Sequence, residues 1–429
     1  MSWDFSTDPE FERQLEWMRW FMRDEVLPLE ILSEELDRDT FFAHLSTLQD
    51  RTRERGLWAT HLPPELGGAG MGQVRLGLMH EIEGASFWGP MVFGNNAPDT
   101  GNSEVLALFG TEEQRERWLG PLLARRIYSG FSMTEPEHAG SDPVRMSTRA
   151  VPDGEGWVLD GHKWFTTNGL IADLLIVMAV TDPDADPHRR ASMFLVPADT
   201  PGVEVVRNIP TMGFERFGFG HAEIRYHGVR LPKQALVGER GKGFEIAQAR
   251  LGPGRIHHCM RWLGQSRRAL DIMCERALQR EAFGEPLARK QTVQNFIADS
   301  VAEMSAARLM TLHAAWIMDT QGVRAARKEI SMIKYFGARV LHDVIDRAIQ
   351  VCGGLGFSAD LPLEEMYREA RSARLYDGPD EVHRQSVARL VLREHAAPEG
   401  LWPADHVPTR REEVRQRFAQ LLERATENA

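Results

Sequence analysis

The sequence predicts an α+β protein in which helices come first, strands second and helices again last. Three observations carry this. Phe11, Leu15, Met18 and the Phe21-Met22 pair recur at helical period. Between Tyr128 and Val237 the apolar residues fall into short β-branched or aromatic runs separated by Gly, Pro and Asp, the pattern of an antiparallel β-domain. After Gly243 four long segments return to helical period, which suggests an antiparallel bundle. The expected division is a helical part over 1–127, a β-part over 128–238, a helical bundle over 239–395 and a tail helix over 396–429.

Taken in order, Thr7-Asp8-Pro9-Glu10 has capping-box spacing, with Thr7 as N-cap and Glu10 at the third helical position. A second helix is expected over 38–55. The glycines of His61 to Gly72 break it, and they do not form G-x-G-x-x-G; no such motif occurs anywhere in the chain, which weighs against a dinucleotide-binding Rossmann domain. Thr111-Glu112-Glu113-Gln114 caps a helix running to 123. Strands are expected at 157–159, 174–180, 192–196, 203–206 and 222–229. Helices follow at 244–280, 292–320, 323–352 and 382–394, with Gly252-Pro253-Gly254 as a glycine-rich turn. The segment Asp182 to Pro187 reads as a solvated loop. The charged tail from Arg410 reads as an amphipathic surface or subunit-contact helix.

The chain has 429 residues, a length that suggests about three domains. Its net charge of −11 argues against nucleic-acid binding. No apolar run approaches membrane-spanning length. The acidic, aromatic N-terminus lacks signal and transit patterns and the C-terminus lacks a peroxisomal address, so a cytoplasmic location is expected. Cys259, Cys274 and Cys352 form no C-x-x-C pair and read as small buried hydrophobes. His257 and His258 are adjacent on a helix and point apart, so no metal site is expected. There is no G-x-S-x-G elbow.

Tyr128 to Pro143 runs from a strand-like piece into a loop dense in Gly, Ser, Pro and acids. Lys163 to Gly169 is an aromatic–hydroxyl strand ending at a turn. Together they offer a flat wall and hydroxyl donors, as a bound aromatic ring with carbonyl oxygens requires, although the first stretch alone is equally that of an ordinary polar turn. Thr134 to Pro143 (TEPEHAGSDP) and Lys163 to Gly169 (KWFTTNG) resemble the flavin-binding loops of the acyl-CoA dehydrogenase family, and the resemblance covers residues 5–394. The usual first loop reads TEPGAGSD. Here it carries an extra residue around Glu137-His138, a departure expected to reshape the loop near the substrate.

The resemblance implies the three-part acyl-CoA dehydrogenase architecture, with a C-terminal four-helix bundle and FAD as cofactor. It assigns flavin contacts to Phe131, Met133, Thr134, Gly140, Ser141, Phe165 and Thr167. R-x-x-F-G at Arg280 to Gly284, with Arg280 and Phe283, and the later Gln291 match the segment that reaches the FAD pyrophosphate of a neighbouring subunit; an Arg there can pair bidentately with a diphosphate. Gln350 to Phe357 matches the glycine pattern whose Gln350, Gly353 and Gly354 let the adenosine half approach the backbone, while glycines after a helix are also ordinary C-caps. Pro379 and Glu381 are assigned to the cofactor as well. Pro379 otherwise reads as the first residue of a helix and Glu381 as an ordinary first-turn acid. Substrate contacts fall to Ser141, Arg255 and Gly378, with Arg255 matching the Arg that helps anchor CoA.

The implied base is Asp377, in the sequence YDGPDEVHR. Most members carry Glu there, in Y-E-G-T; the Asp form resembles a branch acting on long or branched acyl chains. Members that keep the base on a helix instead would place it at Gly254, which cannot serve. Asp377 would remove the α-proton of an acyl-CoA while the β-hydrogen leaves as hydride to flavin N5. Burial would raise its pKa and the nearby helix N-terminus would lower it. The Asp377 N–H and a flavin ribityl hydroxyl would stabilise charge on the thioester oxygen. The expected activity is FAD-dependent α,β-dehydrogenation to the trans-2-enoyl-CoA in fatty-acid β-oxidation, with an electron-transfer flavoprotein as acceptor and a dimer of dimers as assembly. Two alternatives stay open: an oxidase of the same fold using O2 on acyl-CoA or a nitroalkane, and a scaffold that only binds acyl-CoA or a partner.

Overall fold

The computed structural model describes residues 4–213 and 217–427. It divides into two compact units, one ending at Arg384 and one beginning at Gln385.

The first unit opens with α1 (Pro9–Phe21), which continues through a π-turn into α2 (Leu27–Leu32). Asp8, not Thr7, caps α1, its carboxylate accepting from the amides of Glu10 and Phe11. Both residues are competent caps; Pro9 decides, because its missing N–H and fixed φ suit the first helical position and so place the cap at Asp8. Next come α3 (Arg38–Glu54), α4 (Gln73–Glu83), the single turn α5 (Gly89–Val92) and α6 (Asp99–Phe109). α7 (Glu112–Gln114) carries the full Thr111/Gln114 capping box and leads through a π-turn to α8 (Gly120–Leu123).

Eight strands then build one sheet: β1 (Ser129–Ser132), β2 (Arg149–Asp153), β3 (Gly156–Thr167), β4 (Leu174–Val180), β5 (Ala191–Pro197), β6 (Val203–Asn208), β7 (His221–Leu231) and β8 (Leu236–Val237). Their order is β6-β7-β3-β2-β4-β5-β8, with β1 also on β4. The sheet is mixed rather than antiparallel throughout, because β1 and β2 both run parallel to β4. β4 is buried along its whole length. Its Leu174, Ile176 and Met178 face one core with α6 and the loops around it, while Leu175, Val177 and Ala179 face another with β7. A strand covered on both sides reads as an unbroken apolar run, as this one does.

The helical half continues with α9 (Gly243–Gln279), the hairpin β9 (Glu281–Ala282) and β10 (Glu285–Pro286), α10 (Gln291–Gln321), α11 (Arg327–Cys352), α12 (Leu363–Ala373) and α13 (Asp380–Leu392). Gly252-Pro253-Gly254 is not a turn: Pro253 lies inside α9, which runs on for 37 residues. α12 adds a helix beyond the four expected. The first and last helical parts share one core, running from Phe11, Phe21 and Trp88 to Trp262, Leu341 and Ala373. α4 and α9 cross closely enough that a Cβ on Gly264 would lie 2.2 Å from the Glu81 carbonyl oxygen.

In the second unit the tail forms α14 (Val407–Arg417) and α15 (Ala419–Glu427), two helices instead of one.

Candidate active site

Asp377 sits in the turn between α12 and α13. Its φ of +53° is left-handed, and Gly378 follows at +101°. Such a backbone persists only where its surroundings hold it, and here several donors do. Arg255 donates to the Asp377 carbonyl from Nε at 3.0 Å and Nη2 at 2.9 Å. His383 Nε2 lies 3.1 Å from the same oxygen. Lys334, fully buried, donates from Nζ to the Ala373 carbonyl at 2.7 Å and reaches the Gly378 carbonyl at 3.4 Å. Trp262 Nε1 donates to the Tyr376 hydroxyl at 2.9 Å. Gly378 has no room for a side chain: a Cβ would meet His383 Nε2 at 2.8 Å.

The Asp377 carboxylate is one-fifth exposed, and its Oδ2 lies 3.4 Å from His258 Nε2. Burial opposes its ionisation, but His258, Arg255, Arg250 and Lys334 outweigh that and hold it below the usual carboxylate range. The side chain is therefore an anion at neutral pH. Arg250 connects it to the sheet: its guanidinium lies 4.1 Å from the centre of the Phe131 ring on β1 and its Nε donates to Asn102 Oδ1 at 3.1 Å. Asp377 is the leading opposite charge facing it. Burial pushes the Glu104 carboxyl up to about 8, with Arg250 pulling the other way.

The two loops read from sequence meet at β3. Lys163, fully buried, donates from Nζ to the Met133 carbonyl at 2.8 Å and to Glu135 Oε1 at 2.9 Å. Glu135 also accepts from the amides of Ser147 and Thr148 at 2.6 and 2.8 Å. Trp164 N donates to the Thr134 carbonyl at 3.0 Å. The register of β3 slips between Lys163 and Thr166, and at that bulge Phe165 takes a φ of +50° and stays 42% exposed. The bulge thus aims an aromatic ring outward. Beside it Trp164 Nε1 is buried without a partner, and the Thr167 hydroxyl lies 3.1 Å from His221 Nδ1. Gly140 packs on Thr134, where a Cβ would come to 3.0 Å of Thr134 Cγ2, and Ser141 is exposed. The extra loop residues face β3 and the loop's own return: Glu137 Oε1 lies 2.7 Å from His162 Nδ1, and His138 pairs with Ser147.

The remaining residues singled out from sequence lie elsewhere. Arg280 ends α9, Phe283 tips the β9–β10 hairpin at φ +54° and 99% exposure, and Gln291 begins α10. Gln350, Gly353 and Gly354 close α11, with Phe357 84% exposed just beyond. α9 and α11 run parallel, so these groups share one end of the bundle. Arg255 and Arg280 are separated by about 37 Å at 1.5 Å per residue along α9. Pro379 and Glu381 flank the start of α13.

Family models match along nearly the whole chain: the acyl-CoA dehydrogenase N-terminal domain over residues 8–126, the middle domain over 130–227 and the C-terminal domain over 241–392. The chain belongs to the acyl-CoA dehydrogenase family. FadE2 of Mycobacterium tuberculosis, described as an acyl-CoA dehydrogenase, is 48% identical over 81% of this chain and 85% of its own length. Human acyl-CoA dehydrogenase family member 11 is 42% identical over 88% of this chain, which spans only 50% of that relative. A Mycobacterium abscessus structure described as an acyl-CoA dehydrogenase superposes with a TM-score of 0.87 at 42% identity, covering 91% of this chain and 100% of that one. A Mycobacterium smegmatis glutaryl-CoA dehydrogenase solved with FADH2 superposes at 0.76 and 26% identity, over 91% of this chain and 97% of that one.

Within this acyl-CoA dehydrogenase frame, sequence reasoning passed over Arg250, Arg261, Lys334 and His383, and weighed His258 only as a metal ligand. Arg255, His258 and Trp262 were accessible to it. Their spacing of three and seven residues puts them on one helix face, and that face meets the Tyr376-Asp377 turn.

Proposed function

We propose that this chain binds FAD and acts as an acyl-CoA dehydrogenase in which Asp377 removes the substrate α-proton. The observation that carries the reading is the state of Asp377: an ionised carboxylate on a strained turn clamped through its own carbonyl, with Arg250, whose guanidinium lies over the Phe131 ring, among the charges that hold it ionised. The exposed Phe165 ring, the unpaired Trp164 Nε1 and the Thr167 hydroxyl fit an aromatic cofactor bearing carbonyl oxygens. When bound, the flavin would accept the β-hydride. The chain's residues do the rest. Asp377 takes the α-proton as the Cα=Cβ bond forms, and its amide is placed to support charge on the thioester oxygen. Arg255 acts here through the Asp377 backbone, so its part in anchoring CoA would have to be taken alongside that clamp.

Arg280, Phe283 and Gln291 would reach the pyrophosphate of a cofactor in a second copy, and Gln350, Gly353 and Gly354 would serve a cofactor's adenosine half, because their end of the bundle lies so far from Asp377. The two exposed aromatics at that end, Phe283 and Phe357, suit a subunit contact. A homo-oligomer follows from this reading, with a dimer as its minimum and a dimer of dimers as the family form. An electron-transfer flavoprotein is the proposed acceptor, in a β-oxidation setting.

The test is anaerobic mixing of the purified yellow protein with saturated acyl-CoAs. Bleaching by one class that recovers slowly in air supports dehydrogenation; rapid recovery with peroxide would instead make it an oxidase. Asp377→Asn should keep the flavin spectrum and bind acyl-CoA while reduction slows by on the order of 10²–10⁴-fold. Reduction at the native rate in that variant would remove Asp377 as the base.

A further inference from the structure

His258 stands on α9 one turn after Arg255, and its two ring nitrogens have different neighbours. Nδ1 lies 3.0 Å from Arg261 Nη2. A guanidinium has only donors, so Nδ1 must be the acceptor and the ring proton must sit on Nε2. Nε2 is the nitrogen 3.4 Å from Asp377 Oδ2. Arg261 is itself fixed from behind: its Nη1 lies 3.2 Å from His80 Nδ1 and 3.3 Å from the Asn95 carbonyl. The His258 ring is wedged between Trp262, stacked at 6.3 Å, and Tyr376 at 5.0 Å. Burial, helped by Arg261, drives its pKa down to about 3, so the ring stays neutral and keeps this tautomer.

We propose that His258, locked as the Nε2–H tautomer by Arg261, is a positioning residue that orients the Asp377 carboxylate. Its Nε2 stands 3.4 Å from Oδ2, close to it but short of an aligned hydrogen bond, and leaves Oδ1 for the α-hydrogen. The physical need lies in the base being Asp. Its carboxylate is on a short stem from a backbone at φ +53°, so one rotation about Cα–Cβ swings both oxygens away from the substrate. The backbone clamps from Arg255, His383 and Lys334 fix where Cα is; none of them touches the carboxylate oxygens. A fixed Nε2–H beside Oδ2, within closing distance of a hydrogen bond, supplies the missing constraint. The inference rests on Asp377 being the base.

The experiment uses the FAD-loaded protein and the acyl-CoA that bleaches it best. His258→Leu should bind FAD and acyl-CoA as before, with KM little changed, while kcat falls on the order of 10²-fold, the cost of a misplaced reacting group. His258→Gln, whose amide can present an N–H near the Nε2 position, should restore most of that loss. An unchanged kcat in His258→Leu overturns the proposal, as does a His258→Gln variant that keeps its flavin yet is as slow as His258→Leu. If His258→Leu does not hold flavin, ¹⁵N-histidine spectra of the native holoenzyme still decide. The signal lost in His258→Gln must be that of a neutral ring protonated at Nε2; an Nδ1–H tautomer or a cation overturns it. Asp377→Asn separates the two ideas: an active Asp377→Asn defeats the base assignment, whereas an inactive one beside a fully active His258→Leu defeats only the role of His258.

Discussion

Glu135 and Lys163 form an ion pair with side-chain exposures of 2% and 0%. Burial works against the charge on both. Burial pulls Lys163 down to about 8 even with Glu135 beside it, while Glu135, opposed by burial but supported by Lys163 and two amides, lies below its ordinary value. The pair fixes the loop before Gly140 to the strand that carries Phe165. Removing one partner strands a charge in the interior. Glu135→Ala should therefore cost about 3–5 kcal/mol in chemical denaturation, with loss of flavin content if the two loops separate. The double variant Glu135→Gln with Lys163→Met should recover much of the stability; equal losses in both would show that the charge is not what matters. The importance of these residues was invisible in the sequence. Glu135 sat in plain view inside a recognisable loop, but its partner is 28 residues away on another strand, and only the fold brings them together.

The crossing of α4 and α9 depends on two glycines. A Cβ on Gly84 would lie 2.2 Å from the Arg261 carbonyl oxygen, and one on Gly264 equally close to that of Glu81. Gly264→Ala should lose about 1–3 kcal/mol through overpacking, measured by denaturant midpoint. Gly254→Ala, in the same helix with nothing within 4 Å of the added carbon, should gain up to about 1 kcal/mol from helix propensity. Equal effects at the two positions would refute the crossing as the cause. Element by element, the chain was readable where local pattern and tertiary environment agree. The 174–180 run became β4 with the expected ends because a doubly covered strand needs apolar residues throughout. Parallel pairing of β1 with β4 was not readable, since partners are chosen across 45 residues of chain. α12 was readable and missed: Leu363, Met366, Ala370 and Ala373 are its buried face at helical spacing. Gly252-Pro253-Gly254 misled for the opposite reason, because helix-breaking residues sit inside a helix that runs on to Gln279.

Over the molecule as a whole, the first unit keeps many ionisable groups away from water, and their protonation should govern its stability against pH. Burial holds His61 near 4 and His258 near 3, so between there and 6.5 the unfolded chain binds the extra protons and stability rises with pH. Burial raises Glu83 and Glu104 to about 8 from 4.5. Those carboxyls are protonated when folded and ionised when unfolded, so their contribution is complete below 4.5 and is lost as pH climbs through 8. Above 6.5 the histidines no longer oppose this, and unfolding free energy should decline from 6.5 to 8. Glu83→Gln should flatten that decline, and adding Glu104→Gln should flatten it further. A decline of undiminished slope in the double variant would place its origin elsewhere.

Because α9 runs unbroken from Arg255 to its C-cap Arg280, that span works as a ruler with a mark at each end. One mark, Arg255 with His258, sets the base; the other, Arg280, sets the distant end of the bundle. A rigid rod fixes phase as well as distance: each residue added between the marks would turn one end by about 100° against the other and move it 1.5 Å. Substitutions along the rod can be absorbed one at a time, but its length cannot drift by single residues without turning one function away from its partner. The span from 255 to 280 should therefore be the part of this chain least tolerant of insertion or deletion, even at positions where any side chain would do.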